Sequence, residues 1–436
     1  MSQQSRHFVA VIGGAVSGSV AAEILAEAGI EVAIIEQNAR PYGKIEDGLP
    51  RWHVHQRVKE YERIDSRLGN ENIHFVPCTK LGRDVSFGEL VEDWGVSAVL
   101  LANGAWRDRP LRLEGADEHI GKGIEYQNPF IYWFNHKDEK GYEGPQIEVP
   151  DGAIIFGGGL ASIDVVKVCQ LELYGRALRE RGLDVDVIEM EKKGIPATCE
   201  KHGIDPKELG IEGCLVLYRR RLQDMPLAQP VPNATPEQME KTFATRAKLL
   251  GLARKKYLFR IQDKTLPQEL IIRDGRVKGV KVVRTEVEGR KATPIPGTEG
   301  SFETDLIISS IGSIPEPIEG IRMQGEVFAF KDWDLGVYDE KHGVFGVGNV
   351  VTGQGNIRAS LLHAQKVTEY LKENYFAGAL GAAGAETVQQ HLEKRAPLPA
   401  AKVADLRGRV QRLQASAGYG GDYKAWIEKV APPDLG

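Results

Sequence analysis

Apolar residues along this chain gather in short runs that end in glycine, and the stretches between them carry helical periodicity. Phe8-Val-Ala-Val-Ile12 is apolar at every position, as a strand buried on both faces requires. The periodicity then predicts a helix over 19–28 and a second strand at Glu31-Val-Ala-Ile-Ile-Glu36. Further strands are predicted at Ser97-Ala-Val-Leu-Leu101, Gly152-Ala-Ile-Ile-Phe156, Thr304-Asp-Leu-Ile-Ile-Ser-Ser310 and Gly343-Val-Phe-Gly-Val347. Helices are predicted over 163–181, 236–251, 359–374 and 400–416. In the last of these, Val403, Leu406, Val410 and Leu413 share one face, which fits packing on the helix's own domain. Between 269 and 284 the pattern predicts a hairpin turning at Asp274-Gly275. Gly144-Pro-Gln-Ile-Glu-Val-Pro150 reads as a linker where the chain crosses between domains.

Strand, turn, helix and strand therefore follow one another around Gly13-Gly-Ala-Val-Ser-Gly18, with an acid, Glu36, at the end of the second strand. This is the context a dinucleotide fingerprint demands. Gly13 permits the tight turn and Gly18 the close packing of helix on strand. Ala15 stands at the middle position, where glycine usually lets the backbone approach a pyrophosphate. Glu36 can accept hydrogen bonds from the adenosine ribose. A second turn, Gly157-Gly-Gly-Leu-Ala-Ser162, repeats the pattern with Gly157, Gly159 and Ser162 in the three positions. Two segments compete for the strand that follows it. Asp184-Val-Asp-Val-Ile-Glu-Met190 would bring Glu189 to the ribose and favour NAD. Cys214-Leu-Val-Leu-Tyr-Arg-Arg-Arg221 would bring arginines that can clamp a 2′-phosphate and favour NADP, and it is the favoured candidate.

The chain has 436 residues, 42% hydrophobic and 27% charged, so it can bury more than one core. Its net charge of −5 argues against a dedicated nucleic-acid binder. No apolar run reaches the length of a membrane span, and no secretory leader precedes the first strand, so a cytoplasmic protein is expected. The four cysteines, Cys78, Cys169, Cys199 and Cys214, form no Cys-x-x-Cys pair and no metal-ligand spacing. Buried thiols are the expectation for all four.

Taken together, the chain resembles the two-dinucleotide flavoproteins, above all the glutamate synthase small-subunit and adrenodoxin-reductase type. The likeness runs from about Phe8 to Tyr375. It is carried by both glycine turns, by Leu-Ala-Asn-Gly-Ala at 101–105 and by Tyr-Arg-Arg-Arg-Leu-Gln-Asp-Met-Pro at 218–226. Ile-Ser-Ser-Ile-Gly at 308–312 and Gly-Asn-Val-Val-Thr-Gly-Gln-Gly-Asn-Ile at 348–357 complete it. The resemblance implies an α/β fold with two Rossmann-like domains and a helical C-terminal extension. It divides the chain into 1–145 (FAD, first part), 146–325 (NAD(P)H), 326–375 (FAD, second part) and 376–436 (extension). It assigns Gly13, Ala15, Gly18, Glu36, Asn103, Gly104, Gly348, Asn349, Gly355 and Ile357 to FAD. Gly157, Gly159, Leu160, Ser162, Arg219 and Arg220 go to NADP(H), with NAD(H) as the alternative. Asn349 stands where many relatives carry Asp.

The same likeness sets Gly48-Leu-Pro-Arg-Trp-His53 beside the flavin, which makes His53 a candidate catalytic residue; a packing or surface histidine is the other reading. The implied activity is hydride transfer from NADPH to FAD N5, with electrons passed to an acceptor such as a ferredoxin-like or iron–sulfur partner. No metal is called for. The alternative is a non-catalytic FAD-bound scaffold or electron-conduit subunit. Two turns are expected because two dinucleotides must meet.

Overall fold

The structure, a computed structural model, describes residues 5–231, 233–377 and 392–431. The chain divides into two compact units. The first comprises 1–49, 53–107 and 313–436, and the second 50–52 and 108–312.

In the first unit six strands form one sheet in the order Val337–Asp339, Val344–Gly346, Ala98–Leu101, Phe8–Ile12, Glu31–Ile35, Ile73–Val76. All neighbours run parallel except the outermost pair, Val337–Asp339 with Val344–Gly346. Alternate residues of each strand face opposite layers. Val9, Val11, Val32 and Ile34 pack under the helices Val16–Glu27, Val54–Leu68 and Ile357–Asn374. Phe8, Ala10, Ile12, Ala33 and Ile35 face the other side, which the helix Ala400–Ser416 helps to cover. Val403, Leu406 and Val410 are buried there, the face read from the sequence. Of the extension expected at 376–436, residues 378–391 and 432–436 lie outside the described residues.

The second unit holds a five-stranded parallel sheet, ordered Ile124–Tyr126, Ile307–Ser310, Ile154–Gly157, Leu215–Leu217, Arg260–Gln262. A four-stranded antiparallel sheet is built on the long hairpin Thr265–Arg273 and Arg276–Glu288. Asp274 and Gly275 both have positive φ, 53° and 70°, as a type I′ turn needs. Ile154, Phe156 and Leu215 share a core with Val277, Val280 and Val282 of that hairpin. The opposite face packs on the helices Gln127–His136 and Leu160–Glu180.

Several elements differ from the expectation. The chain leaves the first unit at Arg107, well before the linker expected at Gly144–Pro150, because Ile124–Tyr126 supplies an edge strand of the second sheet. It returns at Ser313 rather than after 325. Of the two segments that compete for the strand after the second turn, the favoured one supplies Leu215–Leu217 and the other, 184–190, is not a strand. Asp186 accepts the Glu189 N–H at 2.8 Å and caps the helix Val187–Lys193. The helix from Pro236 passes Gly251 and ends at Tyr257, where Leu258 turns left-handed at φ 57°. Cys78 is exposed, against the expectation of four buried thiols; the other three are buried.

Candidate functional site

The first glycine turn leaves the strand Phe8–Ile12, where the strand order reverses between that strand and Ala98–Leu101. Such switch points open a crevice at the carboxyl ends of the strands. Gly13, at φ +97°, donates its N–H to Ile35 O at 2.8 Å. A Cβ there would lie 2.9 Å from Ala102 O and 3.3 Å from Asn103 Cα, so the turn sits directly on the Ala102–Gly104 segment. At Gly18 a Cβ would meet Gly13 O at 1.8 Å. The helix begins at Val16, three residues earlier than its periodicity suggests, because the third fingerprint position lies inside its first turn. Its start has no side-chain cap and no acid in the first turn, which leaves N–H groups and the positive end of the dipole for an anion.

The alanine in the middle position has its own accommodation. The Ala15 methyl lies 3.0 Å from where a Cβ of Gly43 would be, and Gly43 adopts φ +53°. Pro41 crosses Gly14 as closely, 2.8 Å from a Cβ built there. The 37–43 loop thus lies over the turn. Glu36 fixes both: it accepts Gly14 N–H at 2.8 Å and Asn38 N–H at 2.9 Å. Burial pushes its carboxyl up to about 7, against the pull of those N–H groups.

Gly348, at φ +75°, closes the site from the other side, since a Cβ there would lie 1.8 Å from Ser17 Oγ. Its N–H donates to His363 Nδ1 at 3.0 Å, which puts the ring proton on Nε2. Burial lowers the His363 pKa and keeps the acceptor form. Asn349 follows. The buried Oδ1 atoms of Asn103 and Asn349 meet no hydrogen-bond partner among the described residues. Gly104, at φ +63°, borders open space. Orphaned acceptors, open backbone and an uncapped helix suit a polar ligand carrying a diphosphate. Gly355 is exposed, with a built Cβ 3.9 Å from Asn349 Nδ2, and Ile357 opens the helix Ile357–Asn374. That helix is capped by its own Asn356, which accepts Ala359 N–H at 2.7 Å. His53 stands at the start of the helix Val54–Leu68, which packs on the first helix.

In the second unit Gly157 ends the strand Ile154–Gly157, and the helix Leu160–Glu180 follows, again with no side-chain cap and no acid in its first turn. A Cβ on Gly157 would lie 2.2 Å from both Ser162 Oγ and Ser310 O. Ser162 is fully buried and donates to Ser310 O at 2.9 Å, so its hydroxyl ties the helix to the neighbouring strand in place of the missing third glycine. Leu160 is 58% exposed, and Gly159 borders open space.

Strand Leu215–Leu217 pairs with Ile154–Gly157, so the arginine segment is the one beside the turn. A Cβ on Gly158 would meet the Tyr218 ring at 2.4 Å, so the residue before Arg219 lies against the turn. Arg219 is exposed. Arg220 donates to Tyr218 OH at 3.1 Å and to Asp224 O at 3.3 Å. Arg221 is committed to Asp224, with bonds of 2.9 and 3.0 Å. Glu189 is exposed on its helix and pairs with Lys193, away from any strand end.

Sequence reasoning missed Pro41, Gly43, His363 and the Gly158–Tyr218 contact. Among the described residues no helix is long and apolar enough to cross a membrane.

No protein-family model matches the chain. It is similar to the mitochondrial NADPH:adrenodoxin oxidoreductase of Arabidopsis thaliana, 22% identical over 449 residues, or 89% of this chain and 86% of that protein. It is similar to the glutamate synthase [NADPH] small chain of Escherichia coli, 23% identical over 84% of this chain and 68% of the relative. The solved structure of Mycobacterium tuberculosis FprA in complex with NADPH superposes with a TM-score of 0.65 at 20% identity, covering 93% of this chain and 91% of that one. The chain has the FprA fold, and the resemblance first read from its two glycine turns extends over nearly all of its length.

Proposed function

We propose that the chain is an FAD-dependent NADPH oxidoreductase whose first unit holds FAD and whose second holds NADP(H). One observation carries the reading. The same geometry occurs twice: a glycine turn joins a parallel strand to an uncapped helix start where the strand order reverses. When bound, FAD supplies the redox chemistry, taking hydride from NADPH at N5 and passing electrons to an acceptor. The protein's part is binding and alignment. Gly13, Ala15, Gly18 and the N–H groups of the first helix take the diphosphate, and Glu36 takes the ribose hydroxyls. Asn103, Gly104, Gly348, Asn349, Gly355 and Ile357 offer polar groups and clearance along the rest of the cofactor. Gly157, Gly159, Leu160 and Ser162 form the second diphosphate turn. Arg219 and Arg220 meet a 2′-phosphate, which an NADH site would not need. His53 is assigned beside the flavin by resemblance.

For the acceptor we infer a ferredoxin-like or iron–sulfur protein. The similarity to a relative named as an oxidoreductase of adrenodoxin supports this. The test is cofactor uptake. Chain stripped of flavin and titrated with FAD is expected to bind it stoichiometrically and turn yellow. A folded chain that takes up no FAD overturns the assignment of the first turn.

A further inference from the structure

The C-terminal helix Tyr423–Val430 makes polar contacts that packing alone does not require. Trp426, 7% exposed, donates its indole N–H to Ala39 O at 2.8 Å. Arg40 donates to Val430 O. Tyr423 OH donates to Asp65 Oδ1 at 2.6 Å. The same carboxylate accepts Tyr42 OH at 3.0 Å, and the Tyr42 ring stacks on Tyr61 with centroids 3.9 Å apart. Every one of these bonds ends on the 39–42 loop or on the acid that holds it. That loop lies on the first glycine turn through Pro41 against Gly14 and Gly43 against Ala15. The helix is in turn seated through Tyr419 and Tyr423, which pack edge-on against Phe75, and through Gln414, which donates to Phe75 O at 2.8 Å.

We propose that the C-terminal helix positions the cofactor loop: Trp426 and the Tyr423–Asp65–Tyr42 bridge hold residues 39–43 down on the first glycine turn and set how long FAD stays bound there. The proposal rests on reading that turn as the FAD turn. Trp426, Tyr423 and Asp65 are positioning residues, acting through the loop. A loop free to lift would open the turn to solvent, so the effect falls on dissociation rather than on encounter.

The experiment uses the full chain and the variants Trp426→Phe and Tyr423→Phe, singly and together; Tyr423→Phe removes only a hydroxyl, and Trp426→Phe removes the indole N–H together with the five-membered ring that carries it. Release of FAD is followed by flavin fluorescence after dilution into an excess of a competing apoflavoprotein. Two lost hydrogen bonds predict a dissociation rate about tenfold faster in the double variant, with the association rate unchanged. Binding of 2′,5′-ADP to the second unit is unaffected. Dissociation within about twofold of wild type, the scatter of uncoupled sites, overturns the proposal. So does faster dissociation with an equal loss of 2′,5′-ADP binding, which marks general unfolding. Should the double variant not fold, the single variants carry the test. If wild type itself binds no FAD, the assignment of the first turn fails, and this proposal with it; wild-type binding with unchanged variants removes the loop proposal alone.

Discussion

A methyl group at position 18 would lie 1.8 Å from the Gly13 carbonyl oxygen, and both partners are backbone, so no side chain can yield. Gly18→Ala therefore forces the first helix away from its strand. We expect a loss of stability of about 1–3 kcal/mol, typical of overpacking, and loss of FAD binding, measured by urea melts and flavin titration. Binding as tight as wild type would mean that the turn is not the cofactor turn. At the second turn the residue that matters is Arg219. Its exposed guanidinium is available, whereas Arg221 is committed to Asp224. Arg219→Ala is expected to lower the preference for NADPH over NADH about tenfold, with Arg221→Ala and Glu189→Ala close to wild type. The ratio of steady-state kcat/KM values measures this; a Glu189→Ala effect as large as that of Arg219→Ala would contradict it. The places of the glycines and Glu36 at turn, helix start and strand end were legible because they follow from spacing within one β-α-β unit. Gly43, His363 and the Gly158–Tyr218 contact were not, since each exists only where segments far apart in sequence are packed together.

Among the elements, the second strand and the helix Ala400–Ser416 are joined through Glu31, which is 1% exposed. Arg407 reaches its carboxylate with Nε at 2.7 Å, and His74 Nε2 lies 3.3 Å away. Burial alone would raise this carboxyl; the hydrogen bonds from His74 and Arg407 outweigh it and hold the pKa at about 2, below the ordinary 4.5. A folded pKa below the unfolded one means that the unfolded chain binds more protons in this range. The contribution is thus complete above about 4.5 and is lost as pH falls toward 2. In urea melts across that window Glu31→Gln should be less stable than wild type at neutral pH and flatter with falling pH. Parallel curves would contradict the pairing. Element type was readable wherever periodicity was long, as in the two fingerprint helices. At 184–190, the less favoured of the two strand candidates, Val187 and Ile188 mimic a strand but Asp186 caps a helix. The domain crossing was misread at Gly144–Pro150 because Ile124–Tyr126, three residues long, is too short to announce which sheet it joins.

At the scale of the whole molecule, two units with separate sheets and separate cores each carry a fingerprint glycine turn that leads into a helix start without a side-chain cap, beside a chemically distinct strand end. An acid closes the first turn and arginines flank the second. That asymmetry is what an oxidoreductase using two different dinucleotides requires, and a scaffold that merely stores FAD has no need of the second site. Rapid mixing of the FAD-loaded chain with NADPH, in the absence of oxygen, separates the two most directly. Prompt bleaching of the flavin's visible absorbance is expected, faster with NADPH than with NADH. A chain that holds FAD but is not reduced by either nucleotide would contradict it and leave the scaffold reading in its place.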